Sequence, residues 1–178
     1  AANFLAYGNN LQIVRSVDAL ANNAGAVAHI GGLSNEDVYE ATYYKTNNSN
    51  TYGSFVARYP GELGNSIKVE VFDSANATKF NNWTYKGYFN SAPGTSDFAA
   101  SVGGANDEIH IVVTDANGKF TGSPGTVLET YAYLSKASDA TINGSSNWYR
   151  QVMYSQSKFV YAFDSADYAN THSTWDTS

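Results

Sequence analysis

The sequence has no cysteine in its 178 residues, which removes both a disulfide framework and a thiolate metal site and fits a reducing compartment. Basic charge is scarce as well. Lys and Arg number 10 against 16 Asp and Glu, a formal net charge of -6 with a pI near 4.8. No basic stripe is available to track a phosphate backbone, so nucleic acid is not an expected partner. No apolar run approaches the ~20 residues that cross a bilayer, and no charged-then-apolar leader opens the chain, so a soluble polypeptide without membrane insertion is expected. Methionine occurs only at Met153 and the chain starts at Ala1, from which a piece of a longer polypeptide is expected.

What the chain does have is apolar and aromatic mass. Hydrophobic residues make up 43% and charged residues 15%, enough for one sizeable core burying roughly 70% of the unfolded surface. The 14 Tyr, 9 Phe and 3 Trp suit a pleated, half-buried surface. The expected fold class is α+β and β-rich, an antiparallel sheet or two-layer β-sandwich flanked by short α-helices. Alternating stretches between Gly, Asn and Ser clusters predict strands over 10–14, 55–59, 67–72, 109–114, 127–133 and 158–163. Short helices are expected after Ser96, as N-cap of 97–101, and over 148–154 with Ser146 or Asn147 as cap. The Ala-rich stretch 15–28 predicts a third helix, interrupted by Asn22, Asn23 and Gly25. No internal repeat is present. Residues 1–178 read as one globular unit, with an exposed loop from Thr46 to Thr51 and a seam near residues 46–54.

The run Arg58-Tyr59-Pro60-Gly61-Glu62-Leu63-Gly64-Asn65-Ser66-Ile67-Lys68-Val69-Glu70-Val71 joins a turn to a strand. Pro60 fixes φ, Gly61 and Gly64 admit positive φ and Asn65 tolerates the left-handed region, so the chain is expected to bend twice there. Ile67, Val69 and Val71 then point to one face, Lys68 and Glu70 to the other. At Asp115-Ala116-Asn117-Gly118 the Asn-Gly pair predicts a type I′ hairpin turn leading into Lys119-Phe120. The segment lacks the further oxygens and distal Glu of an EF-hand calcium loop.

Chemistry-bearing patterns are thin. His29, His110 and His172 lie far apart and in no paired metal-ligand spacing, and His110 falls in an expected strand where packing or exposure explains it. The adjacent pairs Glu36-Asp37 and Asp107-Glu108 would diverge on a strand and are expected to be solvated. There is no GxSxG elbow and no phosphate-binding GxxxxGK[ST] loop, and Gly103-Gly104 precedes a strand rather than opening a helix. Catalytic, cofactor and metal residues are therefore expected to be none. Asn47, Asn76, Asn82 and Asn143 begin Asn-x-Ser/Thr triplets of the kind an Asn-rich chain produces by chance. Trp83, Tyr85, Tyr88 and Phe89 read as core or subunit contacts, with a sugar-stacking platform as the alternative.

Two further stretches complete an ordered set: Gly122-Ser123-Pro124-Gly125-Thr126-Val127-Leu128-Glu129-Thr130-Tyr131 with Leu134-Ser135, and Asn147-Trp148-Tyr149-Arg150-Gln151-Val152 leading to Lys158-Phe159-Val160-Tyr161. With the turn-strand run above and Phe4-Leu5-Ala6-Tyr7-Gly8-Asn9-Asn10-Leu11-Gln12-Ile13-Val14-Arg15, this order resembles the contractile tail sheath proteins of large, T-even-like myophages. There a similar GNxIxV strand comes first, a GTVLExY strand with a following Ser later, and an aromatic helix and strand after that. The likeness runs over about two thirds of the chain. It departs in leaving only about 40 residues between Arg15 and Phe55, where T-even-like sheaths carry a large protruding domain. The terminal arms and C-terminal core are also missing, which points to a central fragment.

The resemblance implies a structural, non-enzymatic subunit whose copies stack helically around a tail tube. On a baseplate trigger such a lattice contracts and drives the tube through the host envelope for genome ejection. The implied partners are other sheath subunits, the tail tube and the baseplate. The implied location is the virion tail sheath, assembled in the host bacterial cytoplasm. Without arms the fragment itself is expected to be monomeric. Two other readings stand beside it: a carbohydrate-binding β-sandwich on a phage or bacterial surface, using Trp83, and a carbohydrate-active enzyme with two carboxylates roughly 5 to 10 Å apart in a groove.

Overall fold

The structure, a computed structural model, describes Asp18 and residues 20–44 and 53–163. In chain order the elements are β1 (Asn22–Gly25), β2 (Ile30–Gly31), α1 (Glu36–Val38, continued by a π-helical turn over Tyr39–Tyr43), β3 (Phe55–Pro60), a 3-10 turn (Gly64–Ser66), β4 (Ile67–Phe72), α2 (Ala77–Asn82), α3 (Asp97–Ser101), β5 (Glu108–Asp115), β6 (Thr126–Ser135), β7 (Thr141–Ile142), β8 (Ser145–Ser146), α4 (Tyr149–Gln156) and β9 (Val160–Ala162). Strand order is β2-β1-β3-β9 in one sheet, β4-β5-β6 in a second, and β7-β8 in a small hairpin, with every strand pair antiparallel. The α+β, β-rich class read from the sequence is what the chain forms.

Alternation along β3 and β9 explains how the layers meet. Phe55, Val160 and Ala162 pack with Ile109, Ile111 and Val113 of β5 and with Tyr149, Val152 and Met153 of α4. Their neighbours Val56, Tyr161 and Phe163 point the other way and pack with Ile30, Leu33 and Tyr39. The four-stranded sheet is thus apolar on both faces, with the second sheet and α4 on one side and α1 on the other. Two arginines fasten these layers. The Arg58 guanidinium donates to the carbonyls of Met153 and Tyr154 in the last turn of α4, and lies 4.0 Å from the Tyr161 ring centre. Arg150, from α4, reaches back to the carbonyls of Tyr43 and Tyr44 at the end of α1.

The joint between the two sheets is the turn from Pro60 to Ile67. Gly61 has φ +87, as expected, but Gly64 and Asn65 keep ordinary negative φ. Gly64 is required for a different reason: a Cβ there would lie 2.8 Å from the Tyr59 carbonyl oxygen and 2.9 Å from the Ala57 Cβ. Sequence alone gives no sign of that close approach.

The Asn117-Gly118 expectation is corrected in a similar way. Only Gly118 has positive φ, β5 runs on to Asp115, and the partner strand begins at Thr126 rather than at Lys119. The Asp115 carboxylate organises the intervening loop, accepting from the N–H groups of Lys119, Phe120 and Thr121 and from the hydroxyls of Thr121 and Ser66. The type I′ geometry occurs instead at Asn143-Gly144, where φ is +52 and +80 and Ile142 pairs with Ser145.

Other expectations divide by local chemistry. Ser96 does cap α3, its hydroxyl accepting from Ala99 N–H, and Gly103 at φ +80 ends that helix. At α4 the cap position is Trp148 without a side-chain bond, because Ser146 accepts from Trp148 N–H and the Asn147 amide donates to the Tyr133 carbonyl. The strand expected over 158–163 shortens to β9, since Lys158 N–H is taken by Glu129 and Phe159 N–H by Ser157. Within the helix expected over 15–28, residues Asn22–Gly25 form β1 instead, held by Asn23 donating to the Ala57 carbonyl. The strand expected over 10–14 lies outside the described residues, as does most of the seam near 46–54. Sequence reading missed α2, where Asn76 accepts from Thr78 and Lys79 N–H, because its short run ATKFNN shows no apolar period.

Candidate functional site

The outer face of the three-stranded sheet is covered by an aromatic cluster. His110 of β5, fully buried, stacks on Phe89 at 4.3 Å with ring planes 5° apart, and Trp83 stacks on Phe72 and Phe89 at 5.0 and 5.3 Å. The Trp83 Nε1–H donates to Glu70, so its ring is committed to packing rather than offered as an open platform. His110 is bonded at both nitrogens: Nε2 lies 2.8 Å from the Ser91 carbonyl, and Nδ1 accepts from Tyr133 N–H at 3.1 Å. Tyr133 stands at φ +55, unusual for a bulky side chain, where β5 and β6 shift register. The imidazole therefore takes up a backbone N–H that the bulge releases from the ladder.

Acidification is expected to weaken the fold in two windows. Burial lowers the His110 pKa below its ordinary 6.5, partly opposed by the Ser91 bond, so the unfolded chain takes its proton first and stability is lost as pH falls below 6.5. At Asp115 burial alone would raise the carboxyl, but the Ser66 hydroxyl and the Thr121 and Phe120 donors outweigh it and hold it at about 2. Its contribution is intact above 3.8 and disappears as pH falls toward 2. Glu108, raised above 4.5 chiefly by burial, acts oppositely and favours the folded chain as it protonates. Thermal melts at stepped pH check this, and a melting temperature that stays flat from neutrality down through both windows contradicts it.

The acidic pairs behave differently from each other. Glu36 and Asp37 sit exposed in the first turn of α1, as solvated side chains. Asp107 is fully buried, contrary to expectation, because Ser96 N–H, the Ser96 hydroxyl and the Ser135 hydroxyl replace its water. Glu108, next to it, accepts from Gly94 N–H at 2.9 Å and lines a cleft of about 390 Å³ with Asp97, Phe98, Ile142, Asn143 and Asn147. The cleft lies between α3 and the β7-β8 hairpin. His29 is exposed and lines a separate groove between the sheets, while His172 and Asn47 lie outside the described residues. Among the described residues no three His, Asp or Glu side chains converge as a metal site would need, and no helix is long and apolar enough to cross a membrane. Asn76 and Asn143 serve as cap and turn, which gives those triplets a structural reason.

Sequence reading also missed the ties that make the sheets one body. Glu129 of β6 accepts from Ser157, Tyr131 and Lys158 N–H, fastening β6 to the link between α4 and β9. Like Asp107, Asp115, Arg58 and Arg150, it is a charged side chain put to structural use. With that geometry, the chain is 30% identical over 126 residues to a tail sheath protein of Salmonella phage ViI. The match covers 71% of this chain. It spans only 17% of that relative's length. No known family model matches the chain. The likeness supports a sheath-like relation to a bacteriophage structural protein.

Proposed function

We propose that the chain is a central part of a contractile tail sheath subunit of the T-even-like kind. In this reading its copies stack helically around a tail tube and rearrange to drive the tube through the host envelope for genome ejection. The observation that carries it is the 30% identity over 126 residues to the ViI tail sheath protein. The motif order supports it as well: the Gly64 to Val69 run forms the joint and β4, the Gly125 to Tyr131 run forms β6, and the aromatic 147–152 run leads through α4 to β9. The role is mechanical. The cross-ties of Arg58, Asp115, Glu129 and Arg150 suit a block that moves as a rigid body while its contacts with neighbouring copies exchange. Helical stacking requires heterologous contacts, one patch meeting a different patch on the next copy.

The described elements would then belong to one globular unit, with the seam near residues 46–54 marking where relatives carry a larger outer domain. Tube and baseplate would be met by other parts of the subunit, which assembles in the host bacterial cytoplasm and works in the virion. The 178-residue chain alone is expected to sediment as a monomer. The full-length gene product is expected to form tubes in negative-stain electron microscopy. A full-length protein that stays dispersed at high concentration, or that turns over a substrate in solution, overturns the reading.

A further inference from the structure

The cleft between α3 and the β7-β8 hairpin has a wall that the core does not need. Thr141, Ile142, Ser145 and Ser146 are all exposed, and Ile142 keeps 48% of its surface accessible. The hairpin is nevertheless well defined, by the Asn143-Gly144 turn and by Asn147 N–H donating to the Ala140 carbonyl at 2.9 Å. Across from it stands α3, whose half-buried Phe98 also lines the cleft. A volume of about 390 Å³ lies within the range of small-molecule sites.

The lining decides the ligand class. Asp97 and Glu108 supply carboxylates, Asn143 and Asn147 supply amides, and among the described residues no Lys, Arg or His lines the cleft. Two carboxylates without a compensating cation repel phosphates, sulfates and acidic sugars. No third acidic or His side chain joins them within metal-binding reach among the described residues. Hydroxyl groups satisfy such a lining best, since they donate to carboxylates and accept from amides, while apolar side chains cover the C–H faces between them. Gly94 N–H holds Glu108 Oε2 at 2.9 Å and so fixes the carboxylate with Oε1 left for a ligand.

We propose that this cleft binds a neutral saccharide, with Glu108 accepting from ring hydroxyls, Asn143 bonding at the rim, and Phe98 and Ile142 packing against the ring's C–H face. The site is separate from Trp83 and independent of the sheath reading: its ligand would be recognised whether or not the parent protein polymerises.

The test is saturation-transfer difference NMR on the whole chain with methyl glycosides of glucose, galactose, mannose and N-acetylglucosamine. At least one is expected to bind with a Kd on the order of 1 mM. Glu108→Gln and Ile142→Asp are each expected to weaken that binding about tenfold or more. Ile142 lies on the exposed hairpin, so the second variant keeps its fold even where the first does not. No transfer to any of the four sugars at about 50 mM overturns the proposal. So does binding unchanged in Ile142→Asp, or glucuronate bound as tightly as the neutral sugars.

Discussion

Replacing Gly64 by Ala is expected to destabilise the protein by about 3 kcal/mol, at the upper end for overpacking, and to lower the melting temperature by ~6–12 °C. The added carbon would meet the Tyr59 carbonyl oxygen at 2.8 Å, the Ala57 Cβ at 2.9 Å and the Ala24 Cβ at 3.3 Å. Two of these contacts are to β3 and one is to β1, so no single flexible side chain can yield. Relief requires the turn to lift away from the four-stranded sheet, which pulls β4 from its place over the shared core. Gly64→Val is expected to exceed the Ala variant. The control is Gly61→Ala in the same turn. At Gly61, φ is +87 and nothing stands within 4 Å of an added Cβ, so the cost is backbone strain alone, about 1–2 kcal/mol. Equal losses at the two positions in paired denaturant melts would refute the close approach at Gly64.

Tyr149→Ala is expected to cost about 3–5 kcal/mol, the range for emptying a buried aromatic site. Tyr149 is fully buried in the core shared by both sheets, and its hydroxyl donates to the Phe163 carbonyl at 2.7 Å, just beyond β9. Its removal opens a cavity under α4 and takes away the hydrogen bond that the hydroxyl gives to the Phe163 carbonyl. Tyr149→Phe retains the packing and loses the hydroxyl that makes that bond, for about 1–2 kcal/mol. Calorimetric melts of the pair separate the two contributions. An Ala variant as stable as the Phe variant would mean that α4 does not hold the sheets together.

For a force-bearing reading these two positions matter together. Gly64 sets how closely the sheets join, and Tyr149 anchors the helix that spans them. A block that transmits load to neighbouring copies must keep both under strain. Loosened variants would be expected to spoil ordered tubes of a full-length subunit before they abolish its folding.

The strands over 55–59, 67–72, 109–114 and 127–133 were legible because alternation and turn residues are local signals, and each formed within a residue or two of its expected limits. The Ser96 cap was legible for the same reason: a hydroxyl three residues before a helical N–H needs no distant partner. Asn-Gly was legible as a turn dipeptide but not as to which copy would close a hairpin. Asn143-Gly144 adopts the double positive φ, whereas at Asn117-Gly118 the Asp115 carboxylate gathers the backbone of the following loop instead.

The sequence by itself determined the α+β character, the main strands, the net acidic charge and the ordered motifs that resemble tail sheaths. All of these follow from side-chain period, charge count and turn chemistry, which act over a few residues. Tertiary structure alone decided that Gly64 serves close packing, that His110, Asp107 and Asp115 are interior hydrogen-bond centres, and that Glu108 joins an exposed hairpin to make a cleft. Each of those outcomes depends on partners brought from elsewhere in the chain, such as Ser91 for His110 and Ser66 for Asp115, and burial turns a solvated group into a structural one only when such partners arrive.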